Sequence, residues 1–161
     1  TAVPTKGLTL TFDGSYVDPE YKKFVYLGLD RKDDAKFGYV SKFSTHVGVA
    51  YKFPETSFGV PAVTVDYSYK SKRVFESLSS DPIGLPNARD DLGGEARKDL
   101  SGRFALSEIP FSGKQLTLAL FGENLLDEKY RVSTIDFGAL GFGTSIYNRP
   151  RVLGIEAKME F

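Results

Sequence analysis

Hydrophobic and polar residues alternate along much of this chain, with the period of two that is typical of β-strands facing two different environments. The alternation runs through six segments of about ten residues each. They are Gly7–Tyr16, Lys42–Phe53, Val63–Lys72, Asp99–Ile109, Gln115–Leu125 and Val152–Phe161. No segment carries a convincing helical stripe, and the nearest candidate, Ala88–Lys98, has a Gly pair in its middle that disfavours a helix. The pattern therefore predicts an all-β protein.

The connections between these segments alternate between long and short. The long ones are Val17–Ser41, Arg73–Lys98 and Asp127–Pro150, and the short ones are Pro54–Pro61 and Pro110–Lys114. In an antiparallel up-and-down meander, this order places every long loop at one end and every short turn at the other. Outer-membrane β-barrels have this asymmetry, and a tilted strand that crosses a membrane needs about 9–11 residues, whereas other strands average about 5–6.

Composition narrows the classes of function. Lys plus Arg and Asp plus Glu both number 21, and this zero formal charge argues against a nucleic-acid binder, which needs a basic surface. The chain has no Cys, and its 16 Gly, 13 Phe and 9 Tyr favour β-strands with tight turns. No apolar run is long enough for a transmembrane helix. The first residues do not form a signal peptide, so we expect a mature form or a fragment of a longer protein.

Two blocks near the end of the chain resemble those of a known family. Gly122–Arg131 is similar to the "G-x-N-L-x-D-x-x-Y" stretch of TonB-dependent outer-membrane receptors, and Asn148–Ile155 resembles the "P-R-x-x-G-aliphatic" opening of their final strand. Upstream, Pro4–Leu10 and Ser15–Tyr21 resemble the family's "P-x-x-G-L-x-L" and "S-Y-x-D-A-x-Y". The residues that match the two C-terminal blocks are Asn124, Leu125, Asp127, Tyr130, Pro150, Arg151 and Gly154.

The resemblance covers essentially the whole chain and implies that residues 1–161 are the C-terminal portion of a 22-stranded transmembrane barrel. Such a receptor lies in the bacterial outer membrane and takes up ferric siderophores or similar bulky, scarce solutes. Its partners would be the lipid bilayer, its own plug domain, TonB, a ferric chelate and the barrel-assembly machinery. Met159 and Phe161 would belong to the C-terminal signal that this machinery reads.

Several of these residues also have simpler structural interpretations. Asn124 and Asp127 stand where a strand gives way to a loop, and their short side chains favour turns. Pro150 suits the start of a strand, where no ladder donor is needed. Gly154 would face the interior of the barrel and allow a neighbouring group or the plug to approach its strand closely.

Few residues suggest chemistry. His46, the only histidine, falls on the polar side of its strand, and without Cys or a second His a transition-metal site is not expected. The acidic pairs Asp33–Asp34 and Asp90–Asp91 are more typical of solvated loops than of a Ca²⁺ site. No catalytic motif is present, so we expect neither an enzyme nor a cofactor. Substrate contact is predicted for the three long loops, within Asp30–Tyr39, Arg73–Arg89 and Tyr130–Tyr147. In the last of them, the aromatic and cationic side chains of Tyr130, Arg131, Phe137, Phe142 and Tyr147 suit an anionic, ring-bearing iron chelate.

Two other classes of protein fit part of the pattern. The first is another outer-membrane barrel, such as a porin or an adhesin, although six strands are fewer than the eight of the smallest such barrels. The second is a soluble all-β binding module, which would need no detergent. An isolated six-stranded sheet would expose two edges and an apolar face, so we expect it to aggregate in water.

Overall fold

The computed structural model describes residues 1–78, 93–137, 140 and 142–160. The described chain is all-β and contains no helix, and every pair of strands is antiparallel. The strands are β1 (Ala2–Thr5), β2 (Leu8–Tyr16), β3 (Val25–Tyr26), β4 (Leu29–Asp30), β5 (Phe43–Lys52), β6 (Val60–Lys70), β7 (Arg97–Phe111), β8 (Lys114–Glu123), β9 (Arg131–Asp136), β10 (Gly143–Tyr147) and β11 (Val152–Glu160).

All six predicted strands are confirmed, and they form one sheet in the order β1-β2-β5-β6-β7-β8-β11. The sheet has a seventh strand, β1, because the chain folds back on itself before the first predicted strand. The sequence prediction also missed two small hairpins, β3–β4 and β9–β10, inside the first and last long loops. β1 and β11 lie at the two edges, and among the described residues no strand pairs with the outer side of either.

The short connections are tighter than predicted. Pro61 belongs to β6, where its carbonyl accepts a hydrogen bond from the Phe53 N–H at 2.9 Å. Pro110 belongs to β7, which turns into β8 through Ser112 and Gly113 alone. The sequence prediction placed Pro61 and Pro110 in the short connections, but the ladder tolerates proline where no N–H is required. A register shift between Leu106 and Ile109 adds a bulge to β7.

The register gives the sheet one continuous apolar face, because residues paired across antiparallel strands point to the same side. One row of partners crosses six strands as Leu8, Tyr51, Val63, Phe104, Leu120 and Ile155. The next row is Leu10, Val49, Val65, Gly102, Gly122 and Leu153, and a third is Phe12, Val47, Tyr67 and Leu100. The alternation read from the sequence is therefore coherent across the sheet.

The opposite face is polar. Its rows include Asp13, His46, Ser68 and Asp99, and also Ser15, Ser44, Lys70 and Arg97. Arg103 donates a hydrogen bond to Glu156 at 2.7 Å, which joins β7 to β11 across this face. The two faces thus differ sharply in polarity.

The described chain leaves most of the apolar face uncovered, although Leu125 packs over Gly102 and Gly122. Ile155 is 78% exposed, Leu153 72% and Phe12 69%. Within the described residues, the buried hydrophobic side chains are Val60, Phe75, Ala105 and Ala119. A water-soluble domain of this size normally buries most of its large apolar side chains in a core. The sheet has its apolar surface on the outside instead.

Candidate functional site

The three long connections meet at one end of the sheet, and we call their described residues the loop layer (17–42, 71–78, 93–96 and 124–151 without 138, 139 and 141). The first and second connections are joined by backbone hydrogen bonds. The Lys36 N–H donates to the Ser77 carbonyl at 2.8 Å, and the Tyr39 N–H donates to the Val74 carbonyl at 2.7 Å. At the other end of the sheet lie the short turns. The predicted sorting of loops by length is therefore confirmed.

Arg73 lies at the centre of the loop layer. Its guanidinium carbon is 5.1 Å from the ring centroid of Tyr39 and 5.1 Å from that of Phe75, distances typical of cation–π contacts. One of its terminal nitrogens donates a hydrogen bond to the Val132 carbonyl of β9. The Tyr39 hydroxyl in turn contacts the Ser133 hydroxyl at 3.0 Å. This cluster connects all three long loops.

A second connection joins Glu95 to Arg131. The Glu95 carboxylate accepts a hydrogen bond from the Arg131 backbone N–H at 3.0 Å and from its side-chain Nε at 2.8 Å. Partial burial alone would raise the pKa of Glu95, but these hydrogen bonds and the positive charge of Arg131 outweigh it and lower the pKa to about 2. Arg131, predicted to contact substrate, is thus held in an ion pair within the protein.

The two blocks that carry the family resemblance lie against each other at the junction of the sheet and the loop layer. Asn124 is only 5% exposed, and its amide donates to the carbonyls of Glu128 and Arg149, both at 3.0 Å. Its side-chain oxygen accepts from the Glu128 N–H at 3.0 Å. Asn124 and Asp127 both have positive φ, which Asn and Asp tolerate better than most residues. Their predicted role as turn-formers agrees with this geometry.

The second block completes the junction from the other side. The Asn148 side chain accepts a hydrogen bond from the Tyr130 N–H at 2.9 Å and donates to the Glu128 carbonyl at 2.9 Å. A terminal nitrogen of Arg151 lies 3.7 Å from the Asp127 carboxylate. Pro150 lies two residues before Val152, the first residue of β11. The two blocks, about 20 residues apart along the chain, therefore form one local structure.

Two glycines at this junction make room for side chains. A Cβ atom on Gly122 would lie 2.5 Å from Leu125 Cδ2, so the Leu125 side chain occupies space that a larger residue would fill. A Cβ atom on Gly154 would overlap the ring of Phe121, its partner on β8. The neighbour predicted to approach Gly154 is thus this aromatic ring.

The remaining residues predicted to contact substrate are on or near the β9–β10 hairpin. The rings of Phe137 and Phe142 stack with centroids 4.9 Å apart, and both are exposed. Tyr147 is exposed and lies 4.5 Å from the Lys129 ammonium. Tyr130 is instead half-buried beneath Arg97. The hairpin therefore presents stacked aromatic rings, whereas Arg131 and Tyr130 contact the rest of the loop layer.

The last predicted residues are at the end of β11. Met159 pairs with Leu116 on the apolar face, as its place in the alternation predicted. Phe161 and the acidic pair Asp90–Asp91 lie outside the described residues. So do most of the predicted substrate-contact range Arg73–Arg89 and part of the disfavoured helix candidate Ala88–Lys98.

His46 lies on the polar face, as predicted, in an open groove. Its Nε2 is 3.1 Å from an Asp66 carboxylate oxygen, and its Nδ1 is 3.6 Å from one of Asp13. The groove is lined by His46, Asp66, Ser68, Asp99, Ser101 and Glu123. In the part of the chain that the structure describes, no group of three or more His, Cys, Asp or Glu residues is arranged to hold a metal ion.

Sequence reasoning did not predict the contacts of Arg73, Tyr39 or Glu95, although Tyr39 and Arg73 belong to loop ranges predicted to contact substrate. Their partners lie 59, 94 and 36 residues away along the chain, and no short motif encodes such distant contacts. An arginine close to an aromatic residue, as in Arg73-Val74-Phe75, was the only local signal.

Comparisons of the chain with protein-family models, with curated proteins and with solved structures found no match. Among the described residues, no helix is both long enough and apolar enough to cross a membrane.

Proposed function

We propose that this chain forms C-terminal strands of the β-barrel of a TonB-dependent receptor in a bacterial outer membrane, a transporter of ferric siderophores or similarly bulky, scarce solutes. The observation that carries the membrane part of this proposal is the continuous, largely uncovered apolar face of the sheet. Residues such as Leu153 and Ile155 are more than 70% exposed, and water is an unfavourable solvent for so large an apolar surface. Lipid chains would cover it, with the polar face directed toward a hydrated interior.

The dimensions of the sheet support this environment. β5 has ten residues and β6 has eleven. A ten-residue strand is about 34 Å long and, tilted by about 45°, spans about 24 Å, close to the apolar band of about 25 Å on outer-membrane barrels. On the apolar face, Tyr16 at the end of β2 pairs with Phe43 at the start of β5, beside the loop layer. Amphipathic rings are favoured at the level of lipid headgroups.

The two sequence blocks support the choice of receptor family. The residues that resemble the family also share one structural role, because they form the junction between the sheet and the loop layer. Within the proposal, the loop layer faces the outside of the cell and the exposed rings of Phe137 and Phe142 contact the solute.

The membrane part is tested with single cysteines, because the chain has none of its own. Ile155→Cys and Glu156→Cys place a fluorophore on adjacent residues of β11 that face opposite sides. In vesicles containing a lipid-borne quencher, we expect strong quenching at position 155 and little at 156. Leu120→Cys with Glu123→Cys repeats the comparison on β8. Equal quenching at both members of each pair would overturn the membrane proposal.

The transport part is tested in the source cells with the complete gene. Deleting it should abolish uptake of at least one ferric chelate from a panel offered under iron limitation, and the complete gene should restore that uptake. Collapse of the proton-motive force should also stop it, because transport through TonB is energised. Uptake that continues without the proton-motive force would indicate a passive porin, and unchanged uptake of every chelate would contradict a role in iron acquisition.

A further inference from the structure

Three consecutive residues of β9 are each held by a side chain from outside the β9–β10 hairpin. Arg131 pairs with Glu95, with 2.6 Å between a terminal nitrogen and the carboxylate. The Val132 carbonyl accepts a hydrogen bond from Arg73, and the Ser133 hydroxyl contacts the hydroxyl of Tyr39. These three contacts come from two different long loops and all act on the same short strand.

The side chains that hold β9 are themselves ordered by one another. The Arg73 guanidinium lies against the rings of Tyr39 and Phe75, which also contact each other edge to face with centroids 5.3 Å apart, and Phe75 is buried. The backbones of Arg73 and Gly94 exchange hydrogen bonds of 2.7 and 3.2 Å, which fixes the position of the adjacent Glu95. Arg73 is therefore connected directly to β9, to Tyr39 and, through the backbone, to the segment that bears Glu95.

The restraint on β9 extends to β10. The two strands pair along their length, from Asp136 with Gly143 to Arg131 with Tyr147. Thr134 is buried, and its hydroxyl lies 3.1 Å from that of Ser145 on β10. A segment that opens as a lid has few contacts with the rest of the protein. This hairpin has several at its base.

We propose that the paired strands β9 and β10 form a fixed wall of the loop layer rather than a lid that opens, and that Arg73 is the positioning residue that fixes them. Glu95 and Tyr39 contribute at the two neighbouring residues of β9. This proposal does not rest on the membrane environment or on transport, because it depends only on contacts within the loop layer. If the hairpin binds a solute, the binding surface exists before the solute arrives.

Amide hydrogen exchange on the full chain, folded in detergent micelles, tests this proposal. In the wild-type protein, the amides of β9 and β10 should exchange far more slowly than those of an unstructured peptide. Arg73→Ala removes two cation–π contacts and a hydrogen bond, so exchange in β9 and β10 should accelerate by about 10-fold or more, with β5 and β6 unchanged. Arg73→Lys keeps the charge but loses the planar, stacking guanidinium, so it should not restore full protection.

Arg103→Ala is the matched control, because it removes a guanidinium that pairs with Glu156 on the sheet, away from the loop layer. It should leave exchange in the hairpin unchanged. Fast exchange of the wild-type hairpin, or unchanged exchange in Arg73→Ala, would overturn the proposal. If Arg73→Ala does not fold, Tyr39→Phe removes only the hydroxyl that contacts Ser133 and should accelerate exchange in the hairpin alone. No acceleration there would equally contradict a fixed wall.

Discussion

The sheet and the loop layer are organised by different interactions. In the sheet, backbone ladders and cross-strand rows fix the structure, while large apolar side chains such as Phe12 and Ile155 remain exposed. In the loop layer, Phe75, Asn124 and Thr134 are buried, and specific side-chain contacts join distant segments. The loop layer therefore supplies much of its own order, whereas the sheet depends on what covers its apolar face.

The largest expected effect is on the apolar face of the sheet. We predict that Phe12→Arg lowers the free energy of unfolding in lipid vesicles by about 2–4 kcal/mol, because the charge would lie in the hydrocarbon region. Asp13→Arg, at the adjacent residue on the polar face, should have a much smaller effect. Far-UV circular dichroism during urea unfolding measures both. If both substitutions have small and equal effects, the apolar face does not contact lipid. The sheet would then not depend on its surroundings more than the loop layer does.

The second-largest effect on stability is expected at the junction of the sheet and the loop layer. Asn124→Ala should lower the free energy of unfolding by about 2–3 kcal/mol, because three backbone partners lose a buried amide and Ala is disfavoured at positive φ. Asn124→Gly removes the strain of positive φ but still loses the side-chain hydrogen bonds. Its free energy of unfolding should therefore fall by a smaller amount than that of Asn124→Ala, but by a measurable one. The same urea titration distinguishes them, and a Gly variant as stable as wild type would assign the role of Asn124 to its backbone alone.

The smallest effect on stability is expected for a substitution inside the loop layer. Glu95→Gln should lower the free energy of unfolding by about 1 kcal/mol at neutral pH. The effect is small because the carboxylate is partly exposed and solvent weakens its pairing with Arg131. The pKa of Glu95 is lowered in the folded state, so its stabilisation is fully present above its ordinary value of 4.5 and is lost as the pH falls toward about 2. Thermal unfolding of wild type and Glu95→Gln between pH 2 and 7 should show curves that converge at acid pH. A constant difference would contradict this assignment.

The sequence alone determined the six long strands, the face that each side chain takes and the sorting of the loops. Period-two alternation specifies a strand locally and decides the face of each side chain, because a one-residue slip would place Leu153 and Ile155 on the side of Glu156 and Lys158. A slip of two residues keeps the faces unchanged, so the register itself came only from the structure. The turn-forming role of Asn124 was also readable, because it depends on the residue's own backbone preferences.

Only the tertiary structure decided the arrangement of the loop layer. Arg73, Tyr39 and Glu95 act on β9 across 36 to 94 residues, and such contacts leave no periodic or local signature in the chain. The same holds for Gly154, whose partner Phe121 could be identified only once β8 and β11 were paired. Local alternation fixes strands because each residue responds to its immediate environment, whereas loops are fixed by whichever distant side chains the folded sheet brings together.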